Sequence, residues 1–309
     1  MGGFAALMVV WAGVCAVGLM VDHRTLGGDP IWAKPLKFAV SLALYAGTLS
    51  WMLSLVTRPR LRRAGWWAGT VGTVSSLLEI SVITLQVVRG TGSHFNTATR
   101  LDSALYGLMA VGVVFLYGGT VVVGVALTVF TTLPDRALAW ALRLGLIIGL
   151  AGLSVGFLMV VPTAQQLAVP GVPVRGSHSV GGDDPSGGLP FLSWNTAQGD
   201  LRVAHFIGMH AVQAIPLLAL ALAAMRTPRV HESTRLRVVV LTATVWASVT
   251  ALALWQALRG QSVVHPDTLT WSAAGTVLVV ATMGALAIAR FHRSHPPQPS
   301  RERSRSECG

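Results

Sequence analysis

Charge is scarce in this 309-residue chain: 11% of residues are Asp, Glu, Lys or Arg, where soluble domains carry about 25%. That shortage excludes an ordinary water-soluble enzyme. Together with 52% hydrophobic residues, it also excludes an intrinsically disordered chain. Acids are the scarcest group, 12 against 23 Lys and Arg. Cysteine is scarce too, and Cys15 in the first apolar run and Cys308 near the end cannot form a disulfide framework across a bilayer. Walker A, GxGxxG, HExxH and CxxC patterns are missing. This argues against an ATPase, a dinucleotide enzyme and a zincin; a serine hydrolase is not expected either. In a soluble protein the basic excess would point to nucleic acid. Here the cations lie between apolar runs, so the expectation is membrane topology and no nucleic-acid partner.

What is abundant is apolar sequence, with a mean hydropathy of +0.61. Crossing a bilayer takes about 20 apolar residues in a helix. Eight runs qualify: 4–22, 36–56, 66–88, 104–131, 139–162, 203–225, 236–258 and 268–290. In lipid each segment must satisfy its own backbone hydrogen bonds, so these are helices. The expected fold is all-α, a polytopic bundle of eight transmembrane helices over residues 1–290, with the lipid bilayer as its partner. The first run lacks a basic flank and a small-residue cleavage site, so it is read as a retained span. Of the 23 basic residues, 15 fall on one side of the spans, including Arg58, Arg60, Arg62 and Arg63, and 8 on the other. The positive-inside rule then puts both termini in the cytoplasm and the protein in the cell's inner (cytoplasmic) membrane. Trp66 and Trp67 fit an aromatic belt, and the polar, Arg-bearing residues 291–309 read as a disordered cytoplasmic tail. Gly65 with Gly69, and Gly145 with Gly149, form GxxxG pairs, expected to pack helices within the chain.

Polar residues concentrate toward the outer face. Glu79 is the charged residue near the middle of a span, where a carboxylate costs several kcal/mol unless neutral, paired or hydrated. On a helical wheel Gly72, Ser75, Glu79 and Gln86 share one face, with Arg89 a turn further out. Glu79 and Gln86 are thus candidates for proton or substrate handling; the plainer alternative is a protonated Glu that packs against a neighbouring helix. The seam leads into RGTGSHFNTATRLD, which holds His94, Asn96, Arg100 and Asp102.

The sixth run begins DLRVAHFIGMHAVQAIP. His205 and His210 are five apart, about 140° around a helix, so a straight helix cannot aim both at one metal. Pro216 is expected to kink the helix just below them. With His94 at similar depth, His94, His205 and His210 are candidate ligands for haem or non-haem iron, since neutral imidazole is the usual axial ligand. Packing or a proton role is the alternative. Lys34, Lys37, Arg89 and Arg202 crowd the same outer end, suited to haem propionates, an anionic substrate or a lipid phosphate. Salt bridges to Asp29, Asp102 and Asp200 would equally explain them. The prolines of DPIWAKPLKF fix the start of the second helix, which places Lys34 just before it and Lys37 in its first turn. The 163–202 loop, rich in Gly, Pro and Ser, reads as an external lid. Its His178, Asp183 and Asp184 read as a solvated turn in preference to a metal site.

The segments LQVVRGTGSHFN and GDLRVAHFIGMHAVQ resemble stretches of bacterial integral membrane proteins. In outline the chain also resembles membrane haem proteins such as the haem A synthases, which have eight helices and outward-lying histidines. The likeness is architectural, and the paired four-helix halves of that family have no counterpart here, so no residue role is carried over. The leading expectation is a membrane-embedded oxidoreductase or electron-transfer protein working with a redox partner protein. A proton-coupled transporter of a small anionic solute, using Glu79, is the alternative. A lipid-modifying membrane enzyme comes third.

Overall fold

The structure is a computed structural model, and it describes residues 1–169, 171–182, 184, 188–225 and 231–294. The described residues are mostly helical with almost no sheet, and eight of the helical stretches are long and apolar enough to cross a membrane. Two form the first hairpin, α1 (Gly2–Val21) and α2 (Ala33–Ser54). Between them β1 (Thr25–Leu26) and β2 (Asp29–Pro30) pair antiparallel. The turn is Gly27-Gly28, both at positive φ, which suits a tight hairpin. Lys34 therefore lies inside the first turn of α2 and not ahead of it, because Trp32 is the cap.

A second hairpin joins α3 (Pro59–Arg89) and α4 (Arg100–Thr128). Pro59 opens α3, where its missing N–H costs nothing. The helix starts seven residues before the expected apolar run, since Arg60, Arg62 and Arg63 favour helix yet lower hydropathy. Gly90 ends it in the left-handed conformation that a side chain would strain. Thr99 then caps α4 by accepting from the Asp102 backbone N–H.

The other half comprises α5 (Arg136–Met159), α9 (Glu232–Leu258) and α10 (Thr268–Ser294), with the sixth span between them. Asp135 caps α5 and also pairs with Arg235 at 2.7 Å, while Glu232 accepts from the Arg136 backbone N–H. The sixth span, Leu201–Ala224, is interrupted for one residue: α7 (Leu201–Met209) and α8 (Ala211–Ala224) meet at His210, two residues before Val212, near the kink expected from Pro216. Two causes act together. Pro216 has no N–H for the Val212 carbonyl, and α7 is drawn backbone to backbone against α5. A Cβ on Gly152 would lie 2.4 Å from the Gly208 carbonyl carbon, and one on Gly149 would lie 2.1 Å from the Val212 side chain. Gly145 and Gly149 thus pack helices of one chain, and Gly65 and Gly69 do the same against Leu53 and Met1.

The halves meet in a core of Tyr45, Leu49 and Met52 from α2, Val123 and Leu127 from α4, Leu142 and Leu146 from α5, and Val212 from α8. Spans joined by short loops alternate in direction, so the loops around residues 23–32, 90–99, 160–200 and 259–267 gather at one end. They interlock there: Asn96 bridges to Val174, Ser262 Oγ donates to the Asn195 carbonyl, and Gly181 lies against Gly260. The long loop is more ordered than a Gly- and Pro-rich stretch suggests. It holds a capped short helix, α6 (Ala164–Ala168), and the paired β3 (Ser179–Val180) and β4 (Gly199–Asp200). The α10 helix continues to Ser294; residues 295–309, where the disordered tail and Cys308 are expected, lie outside the described residues.

Candidate functional site

The polar face of α3 is buried as expected: Gly72, Ser75, Glu79 and Gln86 all face inward. Their fates differ. Gln86 has its side chain fully engaged, donating to Asp102 Oδ1 at 2.9 Å and to the Gly92 carbonyl at 3.2 Å, and accepting from Arg89 at 2.6 Å. Arg89 also pairs with Asp102 at 2.6 Å, and Thr99 donates to the other carboxylate oxygen. This network ties the α3–α4 joint together and engages both Gln86 and Arg89.

Glu79, 5% exposed, is held differently. Its Oε1 lies 3.3 Å from His94 Nε2, and its Oε2, though buried, has no hydrogen-bond partner among the described residues. The joint brings the pair together, because the chain folds back after Gly90 and carries His94 over the end of the α3 seam. His94 Nδ1 meets Ser93 Oγ at 3.1 Å, and the ring leans on Phe38 and Phe95. Burial, with the positive charge of Lys34 and of His178, holds His94 well below the ordinary imidazole range, so it is neutral at pH 7. Lys34 is the cation in electrostatic reach of Glu79, and Lys37, Arg202 and Asp184 lie in its field as well.

The remaining cations are tied down. Arg202 grips Asp200 with both arms of its guanidinium, at 3.0 and 2.7 Å, and donates to the Ser193 carbonyl. Lys37 reaches the Phe191 carbonyl at 3.3 Å and Ser193 Oγ at 3.2 Å. Both thus hold the 191–193 turn, where Phe191 and Ser193 have positive φ. Such strain in non-glycine residues persists only where surrounding bonds impose it.

His178 is the residue that sequence reasoning set aside. Its Nδ1 lies 2.9 Å from Asp184 Oδ2, and its ring packs on Phe95 at 4.8 Å. Asp184 also accepts from Ser177 Oγ and the backbone N–H groups of His178 and Ser179. Burial pushes the Asp184 carboxyl up, but those hydrogen bonds and His178 more than offset it, leaving it below the usual carboxylate range. Burial lowers His178 and the Asp184 bond opposes that, with a net lowering. The signal available in the sequence was His178 and Asp184 six apart across glycines, a spacing that fits a closed loop. Asp183 lies outside the described residues.

His205 places Nδ1 on the Gly152 carbonyl at 2.9 Å, over Gly156, where a Cβ would sit 3.3 Å from its ring. His210 occupies the break between α7 and α8, within electrostatic reach of His205. The three expected ligands are not brought to one point: His94 belongs to the Glu79 side, and His205 and His210 to the α5 side. Among the described residues no three His, Cys, Asp or Glu side chains assemble as a metal-ligand group.

The letters GxSxG do occur, at Gly152–Gly156, contrary to the expectation that serine hydrolase signals are lacking. Ser154 is mid-helix in α5, bonded to the Leu150 carbonyl and Tyr117, and not on a strand-to-helix elbow that would expose a nucleophile. Compared with family models, curated proteins and solved structures, the chain has no match.

Proposed function

We propose that this is a multi-pass protein of the cytoplasmic membrane that couples protons to the passage of a small anionic solute, with Glu79 as the proton site. The observation that carries the reading is the Glu79–His94 contact beside Lys34. A carboxyl and an imidazole at 3.3 Å can share one proton, and the unpartnered Oε2 leaves Glu79 a second point of exchange. An anion drawn to Lys34 raises the proton affinity of the pair, and by linkage a bound proton raises the affinity for the anion. Lys37 and Arg202 add positive potential while holding the loop above. The arginine excess at the opposite end supports a cytoplasmic location for that end and both termini, with the cluster outside.

The test is the full chain in proteoliposomes loaded with a pH-sensitive dye, given gradients of small carboxylates and of inorganic phosphate. Wild type acidifies or alkalinises the lumen with at least one anion, and Glu79→Gln does not. Full activity in Glu79→Leu removes the reading.

One observation favours a second reading, an oxidoreductase holding haem or iron and served by a redox partner. His205 and His178 each anchor Nδ1 on an oxygen, of Gly152 and Asp184, and neither Nε2 has a hydrogen bond among the described residues. Metal-ligating histidines are oriented in this way. Haem needs only one or two axial ligands and would supply one-electron chemistry when bound. His205 would then be a ligand and His94, with both nitrogens engaged, would not. A Soret band in protein from haem-fed cells, shifted by dithionite and lost in His205→Ala, supports it. A colourless preparation without stoichiometric metal removes it.

A further inference from the structure

At the end of the bundle opposite the histidines, a cavity of about 490 Å³ opens between the end of α2 and the start of α3. Ser50, Leu53 and Ser54 line it from α2, and Arg62, Arg63 and Trp66 from α3. Leu53 presses against the α3 backbone at Gly65, where a Cβ would meet it at 2.4 Å. We infer that this cavity binds the headgroup of an anionic glycerophospholipid.

Three observations converge. Arg62 and Arg63 are exposed and have no acidic partner among the described residues. No Asp or Glu occurs between Asp29 and Glu79, and among the described residues at this end Asp135 pairs with Arg235 and Glu232 accepts from the Arg136 backbone. Two guanidinium forks beside a cavity with two hydroxyls match phosphate chemistry. Finally, the cavity lies at headgroup depth. Trp66 and Trp67, both more than half exposed and packed edge to face, mark an interfacial belt. The arginines sit one turn further toward the helix start, where lipid phosphates lie. A soluble anion would use the same forks but would gain nothing from that depth. This commits the site to a lipid and not to free phosphate.

The test measures thermal unfolding of the full chain in neutral detergent, titrated with phosphatidylglycerol, phosphatidylcholine or inorganic phosphate. Phosphatidylglycerol should raise the midpoint saturably, and the other two should not. Arg62→Gln with Arg63→Gln should weaken the half-saturating lipid concentration about thirtyfold, a factor of about five for each cation. The lysine pair should retain most of the effect. Arg100→Gln, an exposed cation at the other end, should change nothing. Equal stabilisation by phosphatidylcholine or by inorganic phosphate would overturn the lipid assignment. An unchanged phosphatidylglycerol titration in the glutamine pair would overturn the site.

Discussion

Glu79 Oε1 and His94 Nε2 stand 3.3 Å apart, across the joint where α3 turns into its outer loop, and the buried Glu79 Oε2 has no hydrogen-bond partner among the described residues. The contact ties mid-helix chemistry to the loop end of the bundle. It also makes the two residues energetically inseparable.

That inseparability is measurable. Glu79→Leu leaves His94 Nε2 without an acceptor and should cost about 1–3 kcal/mol, the penalty for a stranded buried polar group. Adding His94→Leu should cost less than the sum of the single variants, with a coupling of at least about 0.5 kcal/mol. Denaturant unfolding in detergent reads the cycle. Strict additivity would mean the contact contributes nothing.

The contributions of His94 and His178 to stability should fall with acidification. Burial, Lys34 and His178 keep His94 well below its ordinary value of 6.5 in the folded protein. Below pH 6.5 the unfolded chain therefore takes up a proton that the folded chain refuses, and stability is lost as pH falls. His178 is lowered too and adds with the same sign, while Asp184 contributes only further down, below its ordinary 3.8. The slope should approach about 1.4 kcal/mol per pH unit for each such imidazole. The difference in thermal midpoint between wild type and His94→Gln, followed from pH 7.5 to 5, tests this: it should shift steadily against wild type as pH falls.

Gly152 admits no side chain. Its Cβ would fall 2.4 Å from the backbone of Gly208, so α5 and α7 would have to part. Gly152→Ala should destabilise the protein by about 1–3 kcal/mol, the usual cost of overpacking. Gly107, whose Cβ meets nothing within 4 Å, is the control, and alanine there should be tolerated. Comparable losses at both positions would contradict the close approach.

Topology can be read with fusions. A reporter after Gly309 should be active only as a cytoplasmic type, and one inserted after Gly171 only as an external type. Both reporters on one side of the membrane would change the span count by one.

The eight spans were legible in the chain because apolar length alone decides them: about 20 residues without charge must be a helix in lipid. The buried face of α3 was legible for a similar reason, since Gly72, Ser75, Glu79 and Gln86 share a helical face whatever packs against it. The ends of helices were read less well. Lys34 and the arginines at the start of α3 are helical although they lower hydropathy, because helix propensity and hydropathy are separate properties. Pairing was not legible at all. Sequence spacing could not show that Gln86 and Arg89 are spent on Asp102 while Glu79 keeps one oxygen free. It could not show that His178 closes on Asp184, or that His210 interrupts a helix whose letters read as continuous. Those outcomes depend on which helix lies beside which. Close approach of Gly152 to Gly208 draws α7 onto α5, and Gly90 turns the chain so that His94 meets Glu79. The chain alone determined what crosses a membrane, because the bilayer acts on each segment separately. Which polar groups meet was decided by packing between segments far apart in sequence.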